Sequence, residues 1–360
     1  MAGSGCILDA GNGLARLIVE AMKNQAVCYH SHGDPSEVLV FEEIDLPTIG
    51  EGEVLIEMQA ATIHPSDLGL INGTYGQLRE LPTVAGREGV GEVVEVGQGV
   101  DAKVMGKLVL MPESPGVWRE YSKSKAEDLL LLPSLVPLNQ LAVSALNPLT
   151  AWRLLHDLEY LREGDFIIQN AGNSAVGLCV IQFAKKMGVN CISLVRTTER
   201  VKDMQAFGAK DVWLDDNESV AKVTDRTDGK KCVLALNSVG GRSALRLAKC
   251  LRGSGVHVTF GAMDASPVRF PTRNLIFDDL RFVGFWLDRW KRKQSPTNLR
   301  KALEEVLQPL ALAEINYPID RIFPLSDFTQ ALARNAESRM GKVLLERKKG
   351  LLVEDPRGSA

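Results

Sequence analysis

The chain has 360 residues, enough for two domains that each bury a core. Hydrophobic residues make up 45% and charged residues 24%, the balance of an ordinary globular protein, and no apolar run approaches the roughly 18 residues of a membrane span. A net charge of −3 gives no general reason to expect nucleic acid or a membrane as partner.

Residues 1–22 are Gly- and Ala-rich with few charges. They match an Arg-rich transit peptide poorly and read as a disordered leader, a presequence remnant or a cloning scar. From Gln25 to Leu146 short β-rich runs (QAVCYH, EVLVFEEI, EVLIEMQAATI, GVGEVVEVG, KLVLM) alternate with Gly/Pro punctuation. Residues 23–146 are therefore expected to form the first part of a mostly β, barrel-like domain. A helical turn is expected at Pro65–Ile71, with Pro65 in its first turn after His64. Tyr75 follows in the glycine-flanked loop Asn72-Gly73-Thr74-Tyr75-Gly76. Such an aromatic is usually a packing anchor, yet a phenol of pKa near about 10 is also able to protonate a strongly basic carbon such as an enolate.

From Pro148 the rhythm changes to alternating helices and strands. An amphipathic helix is expected at Leu149–Leu161 and a turn at Arg162–Asp165. Strands are expected at Phe166–Gln169, Cys191–Arg196, Asp211–Leu214, Cys232–Asn237, Val256–Phe260 and Arg281–Trp286. Six strands with helical crossovers make a doubly wound parallel Rossmann sheet over 147–290, so the fold class is α/β. A helix at Ser295–Leu310, a strand-like Ala313–Phe323, a helix at Leu325–Ala336 and a strand at Lys342–Glu346 follow. The segment 291–350 is expected to return to the first domain, and 351–360 to be a disordered tail or scar.

Within this half, Phe166 to Arg196 reads as strand, loop, helix and strand. The loop Gly172-Asn173-Ser174-Ala175-Val176-Gly177 is G-x-S-x-x-G, with Ser174 in place of the middle glycine. Its blandest reading is a strand-to-helix turn capped by Asn173 or Ser174. In a βαβ unit it also presents unpaired N–H groups and the helix dipole to a pyrophosphate. About 20 residues on, where an NAD site carries an acidic residue for the ribose, this chain has Arg196, followed by Thr197, Thr198 and Arg200. Those donors suit a 2′-phosphate, so NADPH is the expected cofactor.

Metal is not expected. His30 and His32 share a strand face without an acidic or thiol partner at ligand spacing. His64, Asp67 and Glu88 are conceivable ligands, but a turn opening, a cap or ion pair, and a Gly-rich bend account for them. The six cysteines show no C-x-x-C pair and mostly lie in apolar patterns, so buried free thiols and a reducing compartment are expected.

The segments IHPSDLGLINGTYGQLRELPTVAGREGVGEVVEVG, LNPLTAWRLL, IIQNAGNSAVG, LVRTTER, ALNSVGG, TFGAM, LIFDDLRFVGFWLDRWK and GKVLL carry a resemblance. From about Ala26 to Glu346 the chain resembles the medium-chain dehydrogenase/reductase superfamily. Within it, the chain is similar to the zinc-independent 2-enoyl thioester reductases, which include the mitochondrial trans-2-enoyl-CoA/acyl-carrier-protein reductases of fatty acid synthesis. The phosphate loop alone is a weak signal; NGTYG together with GFWL is far more specific. The resemblance implies a GroES-like catalytic domain beside the Rossmann domain, and it implies roles. Tyr75 falls on the catalytic tyrosine and Asn147 on an asparagine that contacts the cofactor near the substrate. Asn173, Ser174, Ala175 and Val176 fall on the pyrophosphate loop, and Arg196, Thr197 and Thr198 on the 2′-phosphate segment. Phe260, Gly261, Ala262, Met263, Phe285, Trp286 and Leu287 fall on walls around the nicotinamide half, and Lys342 on a lysine that reaches NADPH. Two departures stand out. Thr198 replaces a frequent second arginine, and Gly261-Ala262 replaces a Gly-Gly step. Gly86-Arg87-Glu88 lacks the histidine of the zinc-dependent members' G-H-E motif, in agreement with the metal-free expectation.

The implied reaction adds a hydride from NADPH to C3 of an α,β-unsaturated thioester on coenzyme A or acyl carrier protein. Charge moves to the thioester oxygen, and C2 takes a proton from Tyr75, directly or through water. The resemblance also implies a homodimer paired through the sheet edge at FVGFWL, and a mitochondrial rather than cytoplasmic location. A quinone or alkenal reductase of the same superfamily and a non-catalytic NADPH-binding protein are the competing readings.

Overall fold

A computed structural model describes residues 24–264, 266–268 and 270–347. The expected leader at 1–22, the tail at 351–360 and Cys6 lie outside the described residues. The remainder divides into two compact units. Within the described residues, the first comprises 24–134, Ile322–Arg334 and 344–347; the second comprises Leu135–Arg321 and Asn335–Val343.

The first unit is built on strands. β1 (Asn24–Tyr29) lies antiparallel between β2 (Leu39–Ile44) and β4 (Thr83–Val84). A second sheet is organised by β3 (Glu53–Thr62), a ten-residue strand that pairs β5 (Gly89–Val96) along one edge. Its other edge pairs first with β7 (Tyr121–Lys125) and then, through Ala60–Thr62, with β15 (Lys342–Glu346). β6 (Leu108–Leu110) extends the β5 side and β14 (Ile319–Pro324) the β15 side. Val54, Leu55, Ile56, Met58, Ala60 and Ala61 are all buried, so β3 faces packed residues on both sides and its sequence is nearly continuous in apolar residues. Trp118 is the largest fully buried side chain, and its Nε1 donates to the Thr62 carbonyl at 3.2 Å. Gly86, at φ +88°, makes room for it: a Cβ there would stand 2.2 Å from the indole.

In the second unit, six strands form one parallel sheet: β8 (Phe166–Gln169), β9 (Asn190–Val195), β10 (Asp211–Leu214), β11 (Cys232–Asn237), β12 (Leu251–Thr259) and β13 (Arg281–Gly284). Across the sheet they run β10-β9-β8-β11-β12-β13. In chain order this is 3-2-1-4-5-6, the doubly wound Rossmann arrangement, with its switch point between β8 and β11. Ile168, Ile192, Leu194, Ala235 and Leu247 fill one core layer. Of the cysteines described, Cys28, Cys179, Cys191, Cys232 and Cys250 are free thiols, and burial pushes Cys28, Cys191 and Cys250 up to about 12.

Three expectations need correction. The helix placed at Leu149–Leu161 spans Leu146–His156, with Pro148 in its first turn where a missing N–H costs nothing. The switch back toward the first unit does not come at 291. The helix Pro296–Ala311 stays with the second unit because Glu305 accepts from Trp152 Nε1 at 3.0 Å and pairs with Arg153 at 3.3 Å. Ala313–Phe323 is a strand only from Ile319. Before it, the backbones of Asn316 and Tyr317 bond the side-chain amides of Gln182 and Gln140 in place of a strand partner.

Candidate active site

Sheet order brings most of the expected cofactor residues of the second unit to one edge. The loops that follow β8, β9, β11, β12 and β13 all leave the carboxyl ends of parallel strands, where doubly wound sheets bind ligands. Asn173 to Val176 lie in the first of these loops and the start of the helix Ala175–Lys186. Arg196, Thr197 and Thr198 follow β9, Phe260 to Met263 follow β12, and Phe285 to Leu287 follow β13. Asn147 is the second residue of Leu146–His156 and half-buried, while Lys342 opens β15 and is 5% exposed.

The phosphate loop is shaped by close backbone approach. A Cβ on Gly172 would stand 2.6 Å from Ser193 Cβ, and one on Gly177 would stand 2.6 Å from the Gly172 carbonyl oxygen. Both positions therefore require glycine. Ser174 caps the helix, its Oγ accepting from Gly177 N–H at 3.1 Å. That leaves its hydroxyl hydrogen able to donate to an anion in front of the helix. The other backbone N–H groups of the first turn have no intrahelical partner and carry the positive end of the dipole.

Arg196, Thr197 and Thr198 are exposed. Arg196 borders a cavity of about 990 Å³ that is also lined by Asp215, Val239, Gly241, Arg242 and Arg246. Asp215 is committed there: it accepts from Arg246 Nε at 2.6 Å and from Ser243 Oγ. Arg196 makes no ion pair among the described residues. The cavity thus offers a cation where a nicotinamide dinucleotide without a 2′-phosphate would want a carboxylate.

Beneath these loops lies a polar network that the sequence reading missed. Asn170 Nδ2 donates to Asn237 Oδ1 and Ser243 Oγ, both at 2.8 Å, and Asn170 Oδ1 accepts from Ser238 N–H at 2.8 Å. Asn237 in turn accepts from Gly240 N–H at 2.9 Å and donates to Thr259 Oγ1 at 3.1 Å. Asn170 and Asn237 are buried and bonded at both the oxygen and the nitrogen of their amides, so they fix the loops after β8, β11 and β12 against one another. The available signal was an asparagine closing an apolar strand in two of the six cases.

Tyr75 belongs to the first unit, on the loop after the helix Pro65–Ile71. That helix opens with a reciprocal cap in which His64 N–H donates to Asp67 Oδ2 at 2.6 Å. It ends through Gly73 at φ +76°, after which Thr74 and Tyr75 N–H both bond the Gly69 carbonyl, at 2.9 and 3.1 Å. The backbone of Tyr75 is thus tied to the helix end, with the ring against Gly69. Arg87 Nη1 donates to Tyr75 Oη at 2.8 Å, and its guanidinium carbon stands 5.1 Å from the ring centroid. The same guanidinium pairs with Glu113 Oε1 at 2.6 Å.

The imagined metal ligands are engaged otherwise. His64 Nε2 lies 2.6 Å from Glu88 Oε2, both side chains buried, and Asp67 caps the helix. His30 lies 2.8 Å from Glu42, and His32 bonds the Leu70 carbonyl. Among the described residues no group of three or more His, Cys, Asp or Glu is arranged to hold a metal.

Comparison with known proteins places this geometry. Residues 50–134 match the family model described as Alcohol dehydrogenase GroES-like domain, and residues 175–307 that described as Zinc-binding dehydrogenase. Fold and site together define the class, a two-domain oxidoreductase of the medium-chain dehydrogenase/reductase type. The zinc of that model's description does not fit these donors, because His64 is paired with Glu88 and the residue before Glu88 in the chain is an arginine. The mitochondrial enoyl-[acyl-carrier-protein] reductase of Bos taurus is 37% identical over 327 residues, covering 88% of this chain and 87% of that protein. The mitochondrial 2-enoyl thioester reductase Etr1p/Etr2p heterodimer from Candida tropicalis superposes with a TM-score of 0.81 at 26% identity, over 90% of this chain and 100% of that chain. The Etr1p/NADP/crotonyl-CoA complex does so with 0.81 at 25%, over the same shares. The chain belongs to the enoyl thioester reductases of this superfamily.

Proposed function

We propose that this chain uses NADPH to reduce trans-2-enoyl thioesters, with Tyr75 as the proton donor. The second unit fits such a cofactor. Gly172 and Gly177 leave no space for a Cβ, so the loop backbone can close on a pyrophosphate, with the Ser174-capped helix start behind it. Arg196 is the candidate for the 2′-phosphate, with Thr197 and Thr198 beside it. Asn147, Phe260 to Met263, Phe285 to Leu287 and Lys342 are assigned to the nicotinamide half. Bound there, NADPH supplies the hydride for C3 of the conjugated thioester.

The chain's own chemistry concerns the proton. Addition at C3 leaves negative charge on the thioester oxygen, and C2 becomes basic. Tyr75 holds a proton at Oη on a backbone fixed by the Gly69 carbonyl bonds. That fixed phenol is the observation that carries the reading, since a mere packing anchor has no need of a guanidinium bond at its hydroxyl. Coenzyme A and acyl carrier protein carry the same thioester, and both are proposed as substrate carriers. A mitochondrial location is proposed from the relatives named mitochondrial enoyl-[acyl-carrier-protein] reductase, and a homodimer by analogy with the Etr1p/Etr2p heterodimer. The dimer reading has support from β13, which is an edge strand with Val283 exposed.

The test is Tyr75→Phe. It is expected to lose most enoyl-thioester turnover, by about 100-fold or more for removal of a general acid, while NADPH binding measured by fluorescence persists. Turnover close to wild type would remove Tyr75 from the mechanism.

A further inference from the structure

We propose that Arg87 is the positioning residue for Tyr75, orienting its hydroxyl and stabilising the phenolate left when the proton departs. The proposal rests on the reading of Tyr75 as proton donor. Arg87 is held from three sides. Its Nε and Nη2 both meet Glu113 Oε1 at 2.6 Å, and its Nη1 is then aimed at Tyr75 Oη, 2.8 Å away. Its side chain is 5% exposed, so the guanidinium has little freedom to leave this arrangement for solvent. Arg79 braces the frame. It donates to the carbonyls of Val84 and Gly86, on the segment leading into Arg87, and to that of Glu113.

The direction of the hydrogen bond matters. Guanidinium is a donor only, so Tyr75 Oη accepts from Arg87 and its own hydrogen must point elsewhere. The bond thus turns the phenolic O–H away from the guanidinium. In the transfer the Tyr75 O–H bond breaks, the C2–H bond forms, and the electron pair stays on Oη. The resulting phenolate faces a cation already in place, with its N–H aligned, so little reorganisation is needed when the charge appears. Glu113 balances the guanidinium charge in the resting enzyme. Solvent restores the proton between turnovers.

A double-mutant cycle tests this. Crotonyl-CoA reduction and NADPH binding are measured for wild type, Arg87→Gln, Arg87→Lys, Tyr75→Phe and the Tyr75→Phe/Arg87→Gln pair. With Tyr75 present, Arg87→Gln is expected to lower kcat by about 10–100-fold, the worth of one charge-assisted hydrogen bond. KM for crotonyl-CoA and the NADPH Kd stay close to wild type, and Arg87→Lys recovers part of the rate. In the Tyr75→Phe background, Arg87→Gln costs no further rate. If Arg87→Gln does not fold, Arg87→Lys carries the same comparison at smaller size. Wild-type kcat for the Arg87 variants, with Tyr75→Phe impaired, overturns this proposal alone. So do losses at the two positions that simply multiply, because Arg87 then acts apart from Tyr75. A Tyr75→Phe variant at full rate overturns the proton-donor reading, and this proposal with it.

Discussion

Acid should loosen the second unit through a single histidine. His257 lies in β12, 1% exposed, with its Nε2 3.1 Å from the Ala244 carbonyl, so the neutral ring donates there. Burial lowers its pKa from 6.5 to about 4. Between those two values the unfolded chain binds a proton that the folded chain refuses, so stability falls as pH falls. The contribution is complete above about pH 6.5 and is lost progressively toward pH 4. At about 1.4 kcal/mol per pH unit the whole interval is worth roughly 3 kcal/mol, of which roughly 2 kcal/mol is lost between pH 7 and pH 5. The assay is urea denaturation followed by circular dichroism at both pH values, for wild type and His257→Gln. The glutamine retains an amide donor and cannot ionise. Wild type should lose roughly 2 kcal/mol more than the variant over this interval. Equal losses in the two proteins would refute the reasoning, since other groups would then carry the acid sensitivity. β12 leads directly into Phe260 to Met263, so the same protonation bears on the proposed nicotinamide wall.

Two predictions concern the cofactor. Arg196→Ala should raise the KM for NADPH by about 10–100-fold, the loss of one charge-assisted phosphate contact, with the KM for NADH little changed. Steady-state rates with each cofactor check this, and equal losses for both would contradict the 2′-phosphate assignment. Gly172→Ala places a Cβ 2.6 Å from Ser193 Cβ and should shift the loop after β8. The expected readout is weakened NADPH binding by fluorescence titration, together with a destabilisation of about 1–3 kcal/mol in urea.

Much of the sheet was legible because its strands are short apolar runs bounded by turns. β8, β10, β11 and β15 fall on the residues expected, and the Arg196 cation at the end of β9 stands where its spacing put it. β12 was read as starting at Val256, whereas it begins at Leu251. Gly253 and Gly255 interrupt the apolar pattern there, and the ladder absorbs them through a register shift against β11. The strand expected over Ala313–Phe323 failed for another reason. Gln140 and Gln182, more than 130 residues away in the chain, satisfy that backbone. Periodicity carries no information about such partners.

The site divides the same way. Tyr75 was visible because glycines flank it, and the Gly73 turn explains why they do. Arg87 was visible only as a missing histidine. What its guanidinium does depends on Glu113, 26 residues on, and on a loop 12 residues before it. The Asn170–Asn237 network is hidden for a similar reason, since each asparagine reads singly as a strand end and acquires its meaning from the other.

The central claim is tested most directly by NADPH oxidation with the purified protein against enoyl-CoA thioesters of increasing chain length, with a quinone as the competing acceptor and NADH as control. The account predicts saturable, NADPH-preferring reduction of the enoyl thioesters to acyl thioesters, lowered about 100-fold or more by Tyr75→Phe, and little turnover of the quinone. A protein that reduces the quinone efficiently and leaves crotonyl-CoA untouched would contradict it.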